Sequence, residues 1–222
     1  MAPGSRRSPP AVADRVEEPL VVSDEETVRT AFVELQALSK QWMEKEREGI
    51  SLIESFQTAL LATRSASTPS RPPASTEKRS AMMAFAEGAE VDITSQMDPW
   101  LAEDLFAQIQ ELPEAFTELL ERIYSLHNET QKKLARKDLS DISETGTLVL
   151  TMADYAQFIA SETATFEAEC QHIEALLAMI SFAITTDQLR TLVISWSTSP
   201  FLDPEQSREF RQRHEQSQKM RP

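Results

Sequence analysis

A chain of 222 residues has room for one domain and a small second one. With only 4 Gly against 12 Pro, it lacks the material for glycine-rich phosphate loops and for a turn-rich β fold. A formal net charge of −14 and a pI of about 4.7 argue against direct nucleic-acid binding, which needs clustered Lys and Arg, and point to protein partners.

The single cysteine, Cys170, rules out an intramolecular disulfide and suits a reducing compartment. No apolar run approaches the roughly 20 residues of a membrane span. The opening MAPGSRRSPP has no hydrophobic core of the kind a secretory signal carries. Nuclear or cytoplasmic residence is therefore expected, and no membrane partner.

Residues 1–22 carry four prolines and no periodicity, which predicts a disordered tail. Arg6-Arg7-Ser8-Pro9 offers a proline-directed phosphorylation site at Ser8, against the plainer reading of an unstructured tail.

A first long helix is expected over 23–64. Ser23 suits its N-cap and Glu26 a capping box. Its seam runs Val28, Phe32, Leu35, Ser39, Trp42, Glu46, Gly49, Ile53, Phe56 and Leu60, in alternating steps of four and three. Ser39, Glu46 and Gly49 weaken the middle, so the helix is expected to bend or change neighbours there. Unbroken, it would span roughly 60 Å, which favours an elongated bundle or coiled coil.

Residues 65–97 read as a Ser/Pro-rich linker, with Met82, Met83 and Phe85 as either a small docking patch or stray apolar residues. A second helix is expected over 98–137, with Asp98 as N-cap and Pro99 in the first turn. Its seam is Leu105, Ile109, Leu112, Phe116, Leu119, Ile123, Leu126 and Thr130, with a kink or restart expected near Pro113. Lys132, Lys133, Arg136 and Lys137 at its end match the helix dipole, or alternatively form a phosphate-binding patch.

A polar loop precedes a third helix, expected over 151–184 and capped by Thr151 and Asp154. Tyr155, Ile159, Phe166, Ile173, Leu176, Ile180 and Ile184 form its seam, and Ala168, Ala175, Ala178 and Ala183 would admit a close neighbour. Thr185-Thr186-Asp187 ends it and caps a short fourth helix with Leu189, Leu192, Val193 and Trp196, so that 186–203 holds this helix and a Trp-Pro-Phe block. Pro200 and Pro204 are expected to stop regular structure, leaving 204–222 as a polar tail whose mixed-charge part from Arg208 onward reads alternatively as a frayed helix. Such seams are unstable alone in water and need other helices, from this chain or a partner. Their number exceeds what one chain is expected to cover, which predicts a partner.

Nothing in the sequence proposes an active site or a cofactor. His127, His172 and His214 fall on different elements. Cys170 and His172 are two apart on a helix and face apart, which does not make a metal site. Trp196 reads equally as a binding hot spot or as a plug at the end of the bundle.

The block Leu189, Leu192, Trp196, Pro200, Phe201, Leu202, Asp203 resembles the cyclin-dependent kinase 2-interacting protein family, CINP in animals. The first helix with its central Trp42, the linker and the second and third helices follow in that family's order, so the resemblance covers most of 25–215. Only the Trp-to-Asp block is specific. The resemblance implies a non-catalytic, all-α adaptor. Its helices would pair with a related helical protein, like the ribosome-maturation factor AIRIM, and serve a hexameric AAA ATPase of the spermatogenesis-associated type. That assembly works in large ribosomal subunit maturation and at replication forks. Cyclin-dependent kinase, origin and helicase proteins, and the checkpoint-kinase partner ATRIP are further implied partners. The expected contact residues are Leu189, Leu192, Trp196, Pro200, Phe201 and Trp42. The alternative is a generic coiled-coil subunit of a kinetochore or tethering complex.

Overall fold

The computed structural model describes residues 23–66, 100–136 and 149–220. The readings made for 1–22 with Ser8, for Met82, Met83 and Phe85, for the Asp98-Pro99 helix start and for Lys137 lie outside the described residues. Those that are described form five helices and no strand: α1 (Asp24–Ala66), α2 (Leu101–Arg136), α3 (Met152–Leu177), α4 (Thr186–Ser197) and α5 (Pro204–Met220).

The polar punctuation of the sequence sets the helix starts. Ser23 Oγ accepts the Glu26 N–H at 3.2 Å at the head of α1. Thr151 with Asp154, and Thr185 with Gln188, complete reciprocal capping boxes before α3 and α4. The seam of α1 is buried at every position except Ser39, which is half-buried. The seam of α2 is likewise buried from Ile109 to Thr130.

Three expectations are corrected. The first is the restart near Pro113: α2 runs through it as one helix. Ile109, Leu112, Phe116 and Leu119 are buried on either side, and burying each contributes about 1.5–3 kcal/mol, more in sum than the ~3 kcal/mol that the proline costs.

The second concerns α3, which ends at Leu177 rather than Ile184. The N–H groups of Met179 and Ile180 bond back to Leu176 and Leu177 at 3.1 and 3.0 Å, closing a tight turn. Ile180 and Ile184 still face inward, because a turn can present residues four apart as a helix does. Ala175, Ala178 and Ala183 are exposed, with no helix among the described residues covering them.

The third is the polar tail, which is a regular helix already from Pro204 rather than a tail fraying into one from Arg208. Pro204 occupies its first turn, where a missing N–H is harmless, and Asp203 Oδ1 accepts the N–H groups of Glu205 and Gln206, both at 3.0 Å.

Contacts fix the directions of the helices. Lys133 pairs with Asp24 at 2.7 Å, Arg122 donates to Gln41 at 3.0 Å, and Phe106 meets Phe56 at 5.8 Å, so α2 runs back along α1. Phe32 meets Tyr155 and Phe158 while Trp42 meets Phe166, so α3 runs with α1. The segments α4 and α5 return along α1 in succession. Trp196 lies on Gly49, Ser199 on Glu46 and Arg211 on Gln36. Trp42 sits at the centre, 4.9 Å from Phe116 and 5.1 Å from Phe166. The apolar seams are thus covered largely within one chain, against the expectation that they would need a partner.

Candidate functional site

The polar interruptions of the seams converge on the joint between α4 and α5. On α1 they are Glu46 and Gly49. On α3 they are Glu162 and Glu169, which fill the gaps that the steps of three and four leave between Ile159, Phe166 and Ile173. All three glutamates are buried, Glu169 completely.

Each of these carboxyl groups holds part of the segment 199–207. Glu46 accepts the Trp42 Nε1–H at 3.0 Å and the Ser199 hydroxyl at 3.3 Å. Glu169 accepts the Phe201 backbone N–H at 3.1 Å. Glu162 accepts the Ser207 hydroxyl at 2.9 Å. Ser199 turns the chain with φ 38, a left-handed conformation that costs a serine about 1–3 kcal/mol and persists because its surroundings hold it.

Gly49 makes the close approach possible. A Cβ there would lie 2.4 Å from Trp196 Cη2, so the indole rests on bare backbone. Glycine in a helix interior costs about 1 kcal/mol relative to alanine, and the burial of a tryptophan more than offsets it.

Burial raises the proton affinity of all three glutamates. It pushes Glu46 up to about 7; the Trp42 and Ser199 hydrogen bonds oppose the rise and the neighbouring Glu169 adds to it. Glu169 is raised by burial against the pull of the Phe201 N–H and His172. Glu162 is raised by burial, with Ser207 opposing and Asp203 adding. Glu169 Oε1 and Trp196 Nε1 are buried with no partner among the described residues, at about 1–3 kcal/mol each.

The expected contact residues divide at this joint. Leu189, Leu192, Trp196 and Trp42 lie in the chain's own core, with Trp196 at 0% exposure, so its indole plugs the fold. Pro200 and Phe201 are exposed, Phe201 at 49%, with its ring 5.9 Å from His172. The block is therefore a buried anchor carrying an exposed tip.

Other reactive groups are spread through the fold. Burial and Glu174 push the Cys170 thiol up to about 11, so it holds almost no thiolate near neutral pH. His214 Nδ1 lies 2.7 Å from the Tyr155 hydroxyl, and His172 Nε2 lies 3.5 Å from Ser195 Oγ. Among the described residues no group of three or more His, Cys, Asp or Glu could hold a metal ion, and no helix is long and apolar enough to cross a membrane. Lys133 is engaged with Asp24 across the α1–α2 interface.

The sequence reading missed Glu162 and Glu169, and took Glu46 and Gly49 for weak points. The available signal was positional: charged or side-chain-free residues at heptad positions where apolar ones belong. Comparison with family models, with curated proteins and with solved structures finds no match to this chain.

Proposed function

We propose that the protein is a non-catalytic helical adaptor whose helices make an elongated antiparallel bundle. In this reading it pairs with a related, AIRIM-like helical protein and serves as accessory subunit of a hexameric AAA ATPase. The setting is nuclear, in large ribosomal subunit maturation and replication-fork maintenance, with cyclin-dependent kinase and replication or checkpoint proteins as further partners. The resemblance of Leu189–Asp203 to the CINP family supplies the partners.

The observation that carries the reading is the rigid display of Phe201. Its backbone N–H is fixed by a buried carboxyl, the turn before it is locked by Ser199 on Glu46, and Trp196 anchors the whole beneath. A large aromatic side chain held in one place and left half in water is the kind of residue that dominates interface energies.

Mixing the purified chain with the paralogue and then with the hexamer tests this by sedimentation. A stable heterodimer that joins the ATPase is expected. A chain that stays monomeric and ignores both at micromolar concentrations contradicts it. Binding to the paralogue that is indifferent to both Pro200→Ala and Phe201→Ala would return the chain to the class of generic coiled-coil subunits.

A further inference from the structure

α5 covers an aromatic face with little of its own substance. Of its residues only Phe210 and Ser217 are buried. Phe210 stacks on Phe158 at 4.0 Å and 13°, and meets Phe32 and Tyr155 at 5.2 and 5.5 Å. Beyond that the helix is tied by polar groups: Arg211 to Gln36 at 2.7 Å, the Leu150 N–H to Ser217 Oγ at 3.1 Å, and Tyr155 with His214. The α1 helix, by contrast, buries Phe32, Leu35, Leu38, Trp42, Ile53 and Phe56. Two rings, Phe210 and the half-buried His214 at 4.8 Å from Phe32, and a few polar ties, Ser207 to Glu162 among them, are set against the ordering entropy of a helix too polar to be stable alone. Local opening therefore costs less at α5 than in the body. A groove runs beside the Phe158–Phe210 stack between α3 and α5, lined by Asp154, Gln157, Ser161, Gln206 and Arg213. The turn at Ser199 stays locked on Glu46, and beyond Phe201 the start of α5 is tied to the body by the Ser207 hydroxyl on Glu162, so the strap would swing from Leu202 and Asp203.

We propose that α5 is a releasable strap, and that the Phe32–Tyr155–Phe158 face beneath it is a docking groove for an amphipathic helix of a partner protein. The present occupant defines the chemistry of its competitor. The partner helix carries an aromatic residue on its apolar edge and, two turns on, a small hydroxyl residue to meet the Leu150 N–H. It also carries basic residues like Arg211 and Arg213 to suit a body of strong net negative charge. Held in cis, α5 keeps the groove closed until a partner outcompetes it. The inference takes the existence of a partner from the adaptor reading and the site from the geometry.

A fluorescent peptide of residues 204–220 is the probe, titrated against the full chain and against its Phe210→Ala variant. Removing the anchor raises the fraction of open groove, so the variant is expected to bind the peptide at least about tenfold more tightly than the unaltered chain. A peptide that itself lacks Phe210 should not bind. Hydrogen exchange on the unaltered full chain gives a second readout, with amides of 204–220 expected to exchange about a hundredfold faster than those of 28–60. Equal protection of the two segments, or a folded Phe210→Ala chain that ignores the peptide, overturns the strap. Neither result touches the pairing with a paralogue, which the mixing experiment tests separately.

Discussion

Glu46 shows how a residue that looks like a flaw in a seam can be what holds a joint. It stands where an apolar residue would give a better helix face, yet it accepts hydrogen bonds from Trp42 and Ser199 and so fixes the turn after α4. The folded state keeps its proton up to about pH 7, whereas the unfolded chain releases it in the ordinary carboxylate range. Its contribution to stability is therefore full below that range and is lost as pH rises through about 7. Its acidic neighbour from α3 is Glu169, itself raised by burial against the pull of the Phe201 N–H and of His172. Glu46→Gln keeps an acceptor for both donors and removes the charge. Melting followed from acid to mildly alkaline pH is expected to show a higher Tm than the unaltered chain above neutrality and a flatter profile throughout. An unchanged pH dependence would show that Glu46 does not titrate in this environment.

At the scale of elements, legibility followed periodicity. The seams of α1 and α2 could be read because each buried position repeats at three or four residues and nothing in the middle is strong enough to break them, Pro113 included. The C-terminus of α3 could not be read, because Ile180 and Ile184 keep helical spacing while the backbone tightens into turns after Leu177. The start of α5 was missed for the opposite reason: its apolar content is almost nil, and Pro204 reads as a stop until Asp203 is seen to cap it, so only a frayed helix from Arg208 was legible. The joint was legible only as gaps, since sequence spacing shows that Glu162 and Glu169 occupy seam positions but not what they meet there. The cap gives a test. Asp203→Ala is expected to cost about 1 kcal/mol, confined to α5, seen as faster amide exchange over 204–220 with α1 to α3 unchanged. Loss of protection throughout the chain would show that α5 is an integral part of the cooperative core rather than an appendage to it.

At the scale of the molecule, the helices cover most of one another's apolar seams. Trp100, Ile194 and Phe182 are among the exposed large apolar side chains, and Phe201 is the one at the tip of the Trp-Pro-Phe block, braced from below by Trp196 on Gly49. Anchor and tip should therefore fail in different ways. Trp196→Ala empties a buried site and is expected to lower stability by about 3–5 kcal/mol. Phe201→Ala, half in water, should change stability by less than about 0.5 kcal/mol. The most direct measurement is the pair of values, Tm and Kd for the proposed helical partner, taken on Phe201→Ala beside the unaltered chain. The expected result is an unchanged Tm with binding weakened at least about tenfold. An unchanged Kd, or a collapse of Tm, would contradict a partner-binding role for the exposed tip.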